Sequence, residues 1–206
     1  MPVRDSGGLT LVAIADTLRD GLEELVARSL AAAHSGATAV HLRLKGEDSR
    51  TLLDACRALV AALPVPVIVH DRADVAVAAR AAGVHLSSDE MPTTAVRGIV
   101  PAEMLVGASV GSAADLQLAR AADYVSIGPV FARGARTSDA AVLGVDEFAR
   151  LARMAEVPVV AVGGIAADNA RSVLDAGAAG VAVITGAYAK AEAARAIRDL
   201  RAAIGT

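Results

Sequence analysis

The chain has 206 residues, a net charge of −3 and a composition that is 54% hydrophobic, with two Phe, two Tyr and no Trp. So apolar a chain is not disordered, and without a basic run or interleaved basic and aromatic residues it is not expected to bind nucleic acid. The single cysteine, Cys56, excludes an internal disulfide framework, and no apolar leader or run of about 18 apolar residues is present, so the expectation is a cytoplasmic protein with no membrane partner.

In chain order, residues 9–15 form a short apolar run that predicts strand one. Residues 18–34 carry Leu22, Leu25, Val26 and Leu30 at helical spacing, and Ser35-Gly36 ends that helix. Strand two is expected over 39–45, then a helix over 49–63 capped by Asp48 or Ser49. Strand three is expected at 65–70, helix three at 72–82 and strand four at 83–86. A short helix at 92–100 takes Pro92 in its first turn. Strand five follows at 105–110, helix five at 112–121 and strand six at 124–130. A long loop over 131–144 leads to a helix at 146–155. Residues 157–165, Val-Pro-Val-Val-Ala-Val-Gly-Gly-Ile, predict strand seven broken by Gly163-Gly164, with a helix from Ala166 onward. Strand eight at 180–184 and a helix at 187–203 complete the chain.

An Ala-rich helix end, a small residue and a strand recur before strands two, four, six and eight, as in Ala-Arg-Ala-Ala-Gly-Val-His-Leu. Four βαβα units close naturally as a single-domain α/β (β/α)8 TIM barrel, with residues 1–8 as a flexible N-terminal extension. A doubly wound open sheet is the competing architecture; it needs no eighth strand.

In such a barrel the chemistry lies at the C-terminal ends of the strands. Ionisable residues gather there: His41, Arg43 and Lys45; His70, Asp71 and Arg72; His85, Asp89 and Glu90; and Arg133 and Arg136 in the long loop. Period-two alternation sends His41, Arg43 and Lys45 inward and Leu42 and Leu44 toward the helices. Two positive charges at a barrel mouth call for an anionic ligand or for ion pairing with Asp71 or Glu90. Those two carboxylates also suit Mg²⁺, a hard ion that bridges to phosphates. Three strand-end histidines raise zinc, but no His-x-His is present and Arg43 and Arg72 repel a cation. Gly163-Gly164, with Thr185-Gly186 after strand eight, offers bare amides where barrels bind phosphate; a plain tight turn is the alternative.

With these residues assembled, the chain resembles the thiamine-phosphate synthases and their relatives, the thiazole tautomerases. The resemblance rests on His41-Leu42-Arg43-Leu44-Lys45, similar to Gln-Leu-Arg-x-Lys, and on His70-Asp71-Arg72, similar to Asn-Asp-Arg. Gly83-Val84-His85-Leu86, Glu90-Met91-Pro92, Gly107-Ala108-Ser109, Asp123-Tyr124, Gly128-Pro129-Val130-Phe131 and Gly163-Gly164-Ile165 also match. It implies a cytoplasmic transferase of thiamine biosynthesis that couples an aminopyrimidine-methyl pyrophosphate to a thiazole phosphate and releases pyrophosphate. By the same resemblance Asp71 and Glu90 hold Mg²⁺, and Arg43, Lys45 and Arg136 meet the pyrophosphate. His41 and His70 contact the pyrimidine, Ser109 lies near the reacting centre, and Gly163, Gly164, Thr185 and Gly186 bind the thiazole phosphate.

The chain departs from the pattern at several points. His stands for Gln at 41 and for Asn at 70, Glu90 for Asp, and Val12 for Tyr. The family's Thr-x-Thr-Lys falls on Arg133, Ala135 and Arg136. Two other readings therefore stand beside the synthase: a thiazole phosphate tautomerase using His41 or His70, and a non-catalytic phosphate-binding paralogue. Oligomeric state is left open, with a homo-oligomer admitted.

Overall fold

A computed structural model describes residues 6–132, 141–184 and 190–205. Eight parallel strands close into a barrel: β1 (Leu11–Ala15), β2 (Ala39–Leu42), β3 (Val67–His70), β4 (Gly83–Leu86), β5 (Leu105–Val110), β6 (Tyr124–Ile127), β7 (Val159–Val162) and β8 (Gly180–Ile184). Each strand pairs with its neighbour in sequence, and β8 returns to β1 with Val12 opposite Ala182. The helices are α1 (Leu22–His34), α2 (Ser49–Ala62), α3 (Ala73–Ala79), α4 (Thr93–Arg97), α5 (Ala113–Leu118), α6 (Gly144–Met154), α7 (Ala170–Asp175) and α8 (Lys190–Ile204). The expected (β/α)8 TIM barrel is therefore the fold, and the open sheet is excluded. No helix of the described residues is long and apolar enough to cross a membrane.

The alternation of side chains across the strands divides the core in two. Leu42, Val69, Val84, Val106, Val125 and Val181 face outward and pack under the helices. Val12, Ile14, Ala39, Ile68, Leu105, Val160 and Ala182 face inward and fill the barrel with Tyr124. Cys56, fully buried on α2, belongs to the outer core. Its thiol is pushed up to about 11 by burial, which makes it packing rather than a nucleophile.

Several elements are shorter than the sequence suggests. Leu9 is not in β1; Ser6–Leu9 forms a 3-10 turn that brings Leu9 into the inner core. Part of the expected N-terminal extension is thus packed against the barrel. The fit requires Gly180, where a Cβ would strike the Leu9 carbonyl. Helix α1 begins at Leu22 rather than at residue 18, and β2 ends at Leu42, which leaves Arg43 and Lys45 in the loop. Helix α2 follows the sequence closely: the Asp48 carboxylate accepts from the Arg50 and Thr51 amides at 2.8 and 3.0 Å.

Candidate active site

A cavity of about 420 Å³ opens at the C-terminal end of the barrel. That volume suits one small organic ligand. Its floor is built from inward positions on β2, β4, β5 and β6. Tyr124 is fully buried, and its hydroxyl lies 3.1 Å from His41 Nε2 and 2.9 Å from His85 Nδ1. His85 Nε2 in turn lies 3.0 Å from Ser109 Oγ and 3.1 Å from Ser126 Oγ. The His41 and His85 ring centroids are 5.1 Å apart. Gly107 makes the cluster possible, because a Cβ there would collide with the Tyr124 ring and with His85 Nδ1.

Burial keeps these rings neutral. It pushes His41 down to about 4. His70 falls to about 3, through burial first and then the positive charges of Arg43, His41 and Lys45. His85 lies well below its ordinary value for the same leading reason, while burial raises the Tyr124 phenol well above its own. The floor is therefore polar but uncharged at neutral pH.

Beside it, the β2 and β3 ends form a cationic rim. Arg43 lines both the main cavity and an adjoining recess, which also contains Lys45, His70, Asp71 and Arg72. Among the described residues neither Arg43 nor Lys45 forms an ion pair, so the structural ion pairing weighed from the sequence is not what places them. Arg72 is held instead by Asp74, at 2.5 Å, and by Ser49 Oγ at 3.0 Å. Asp71 sits in the left-handed region at φ 63°, where a non-glycine residue is uncommon. Its carboxylate accepts the Ser87 amide at 2.7 Å and the Ser87 hydroxyl at 3.1 Å. Ser87 Oγ also lies 3.0 Å from His70 Nε2, which ties His70 to the same group.

Opposite the cationic rim lies Gly163-Gly164. Both residues have positive φ, 92° and 67°, and Gly163 lines the cavity. A Cβ on Gly163 would press on Pro129 Cα at 2.5 Å. Among the described residues the amides of Gly164 and Ile165 have no acceptor. Helix α7 begins only at Ala170, not at Ala166. The Asn169 side chain holds the intervening turn, accepting from Ala166 N–H and donating to the Gly164 carbonyl, each at 2.9 Å. The bare amides alone are therefore the candidate anion-binding feature, since α7 starts too far along the chain for its dipole to contribute.

The structure thus brings His41, Arg43, His70, Ser109 and Gly163 to one cavity, with Lys45 and Asp71 in the adjoining recess. Glu90 is different. It is exposed in a turn and lines a separate small recess with Met91 and Leu118, whereas its neighbour Asp89 lines the main cavity. Among the described residues no three His, Cys, Asp or Glu side chains are grouped to hold a metal. Gly164 does not line the cavity but shares the turn. Arg133, Arg136, Thr185 and Gly186 lie outside the described residues. The sequence reading missed Tyr124 and Ser126 as site residues, and counted His85 only as a strand-end residue. Period two from Ser126 back to Tyr124 was the available signal: both must face inward if either does.

A polar, uncharged floor with cations on one side and bare amides on the other thus lies at the C-terminal end of the (β/α)8 barrel. The model of the thiamine monophosphate synthase family matches residues 11–187, and the chain belongs to that family. It is 36% identical over 195 residues to the thiamine-phosphate synthase of Azorhizobium caulinodans, covering 92% of this chain and 91% of that one. It is 41% identical over 175 residues to the thiamine-phosphate synthase of Methanoculleus marisnigri, with 82% and 83% covered. Among solved structures, thiamine phosphate pyrophosphorylase from Pyrococcus furiosus superposes with a TM-score of 0.82, at 33% identity and 97% coverage of both chains. Tryptophan synthase from Mycobacterium tuberculosis, 16% identical with a TM-score of 0.71, shares the fold alone.

Proposed function

We propose that this chain is a thiamine-phosphate synthase: it transfers an aminopyrimidine-methyl group from its pyrophosphate ester to the ring nitrogen of a thiazole phosphate and releases pyrophosphate. The observation that carries the reading is the placement of two unlike anion-binding features across one cavity. Arg43, Lys45 and Arg72 stand at one edge, and the Gly163-Gly164 turn stands at the other. One suits a leaving pyrophosphate, the other the phosphate of an incoming partner.

The chemistry these residues can supply is electrostatic. Breaking the carbon–oxygen bond to pyrophosphate builds negative charge on the departing group and positive charge on the pyrimidine methylene. Arg43 and Lys45 stabilise the first, and no nucleophilic side chain is needed. The neutral rings of His41, His70 and His85 can lie against a flat heterocycle without repelling a developing cation, which protonated imidazoles would do. Closing the thiazole nitrogen onto that methylene forms the new carbon–nitrogen bond.

Mg²⁺ fits Asp71: its oxygens are fixed by Ser87, keep further lone pairs, and stand beside the cationic recess. Asp89 or Glu90, on the following turn, is the second carboxylate. When bound, the ion supplies charge neutralisation for the pyrophosphate. The test is turnover: purified protein with both substrates and Mg²⁺ should yield thiamine phosphate and pyrophosphate in equal amounts. Exchange of thiazole phosphate protons without coupling would favour the tautomerase reading instead.

A further inference from the structure

The floor of the cavity is a continuous row of hydrogen-bonding groups whose direction is undetermined by the fold. Tyr124 Oη has one proton and sits between two ring nitrogens, so it donates to one imidazole and accepts from the other. Two patterns satisfy every partner. In the first, His41 Nε2–H donates to Tyr124, Tyr124 donates to His85 Nδ1, and His85 Nε2–H donates to Ser109 or Ser126. In the second, a serine hydroxyl donates to His85 Nε2, His85 Nδ1–H donates to Tyr124, and Tyr124 donates to His41 Nε2.

The two patterns contain the same protons and no net charge. Passing from the first to the second takes one proton in at His41 Nδ1 and returns one from the serine hydroxyl. His41, His85, Ser109 and Ser126 all line the same cavity, so both ends of the row open onto one ligand. His41 Nδ1 has no hydrogen-bond partner among the described residues and is not among the fully buried unpaired atoms, so it is the end that faces the ligand space. It is an acceptor in the first pattern and a donor in the second.

We propose that Tyr124 and His85 are positioning residues that let His41 present either a hydrogen-bond acceptor or a donor to the bound ring, so that the cavity accepts both amino- and oxo-substituted pyrimidines. The proposal rests on the pyrimidine reading of this cavity. A rigid polar face discriminates steeply, because the wrong partner leaves a buried group unpaired. A face that reverses its polarity at constant charge does not.

The experiment is nitrogen-15 NMR of histidine-labelled protein, which has four histidines and is assigned by single substitutions, with 4-amino-2-methylpyrimidine and 2-methylpyrimidin-4-one as probes. Calorimetry should give affinities for the two probes within about tenfold, against about a hundredfold or more for a fixed face. The amino probe should draw both His41 and His85 to the Nε2–H tautomer, and the oxo probe should draw both to Nδ1–H. In Tyr124→Phe the His41 response should persist and the His85 response should vanish. If that variant does not fold, the two-probe comparison in the unsubstituted protein decides alone. Binding of both probes with His85 held in one tautomer would overturn the inference. Binding of neither would overturn the pyrimidine reading, and this inference with it.

Discussion

Acid should destabilise this protein well before its carboxylates are protonated. His41 falls to about 4 and His70 to about 3 on folding, from 6.5 in the unfolded chain. Groups whose folded values are depressed bind fewer protons in the folded state. Stability therefore rises with pH between the folded and unfolded values and levels off above about 6.5. Taking each site from pH 7.5 to pH 5 costs about 2 kcal/mol, so the pair costs about 4 kcal/mol, and His85 adds in the same direction. Against a typical stability of about 5–15 kcal/mol this is large. Urea unfolding at the two pH values measures it directly: at about 2 kcal/mol per molar urea, the midpoint should fall by about 2 M or more. His41→Gln should shrink the loss by about 2 kcal/mol. A change below about 1 kcal/mol between pH 7.5 and 5 would show that the floor is open to water, and the argument for neutral rings would fail.

Other substitutions test other parts of the site. Arg43→Ala should lower kcat by about a hundredfold with little change in stability, since Arg43 forms no ion pair among the described residues; steady-state kinetics reads it. Asp71→Asn, which tolerates the left-handed backbone and keeps much of the Ser87 contact, should weaken Mg²⁺ activation by about tenfold or more in a metal titration. Gly163→Ala must accept a positive φ and a contact with Pro129, so it should cost about 1–3 kcal/mol of stability and raise KM for the thiazole phosphate above that for the pyrimidine.

The barrel was legible because each strand is a short apolar run and each helix has its own period, and the Ala-rich repeat fixed the count. Boundaries were less so. Helix α7 starts late because Asn169 spends its side chain on the preceding turn, a competition that composition does not reveal. The inward direction of His41 followed from alternation, since Leu42 and Leu44 had to meet the helices. Arg43 and Lys45 were placed at the right mouth but on strand two, which ends at Leu42 and leaves them in the loop. Tyr124 was missed as a site residue because its ring is core packing and only its hydroxyl joins the histidines. Glu90 and Asp89 are adjacent in sequence. Only the turn decides which of them lines the cavity, with the Glu90 amide bonded to the Ser87 carbonyl at 3.2 Å.

The most direct test of the proposed reaction is a stoichiometric one. Purified protein is supplied with Mg²⁺, the aminopyrimidine-methyl pyrophosphate and the thiazole phosphate, and thiamine phosphate and pyrophosphate are quantified together. The site described above requires that both appear one for one, that omitting either substrate abolishes thiamine phosphate, and that Arg43→Ala suppresses both products equally. Thiazole phosphate binding with no pyrophosphate released under these conditions would contradict it.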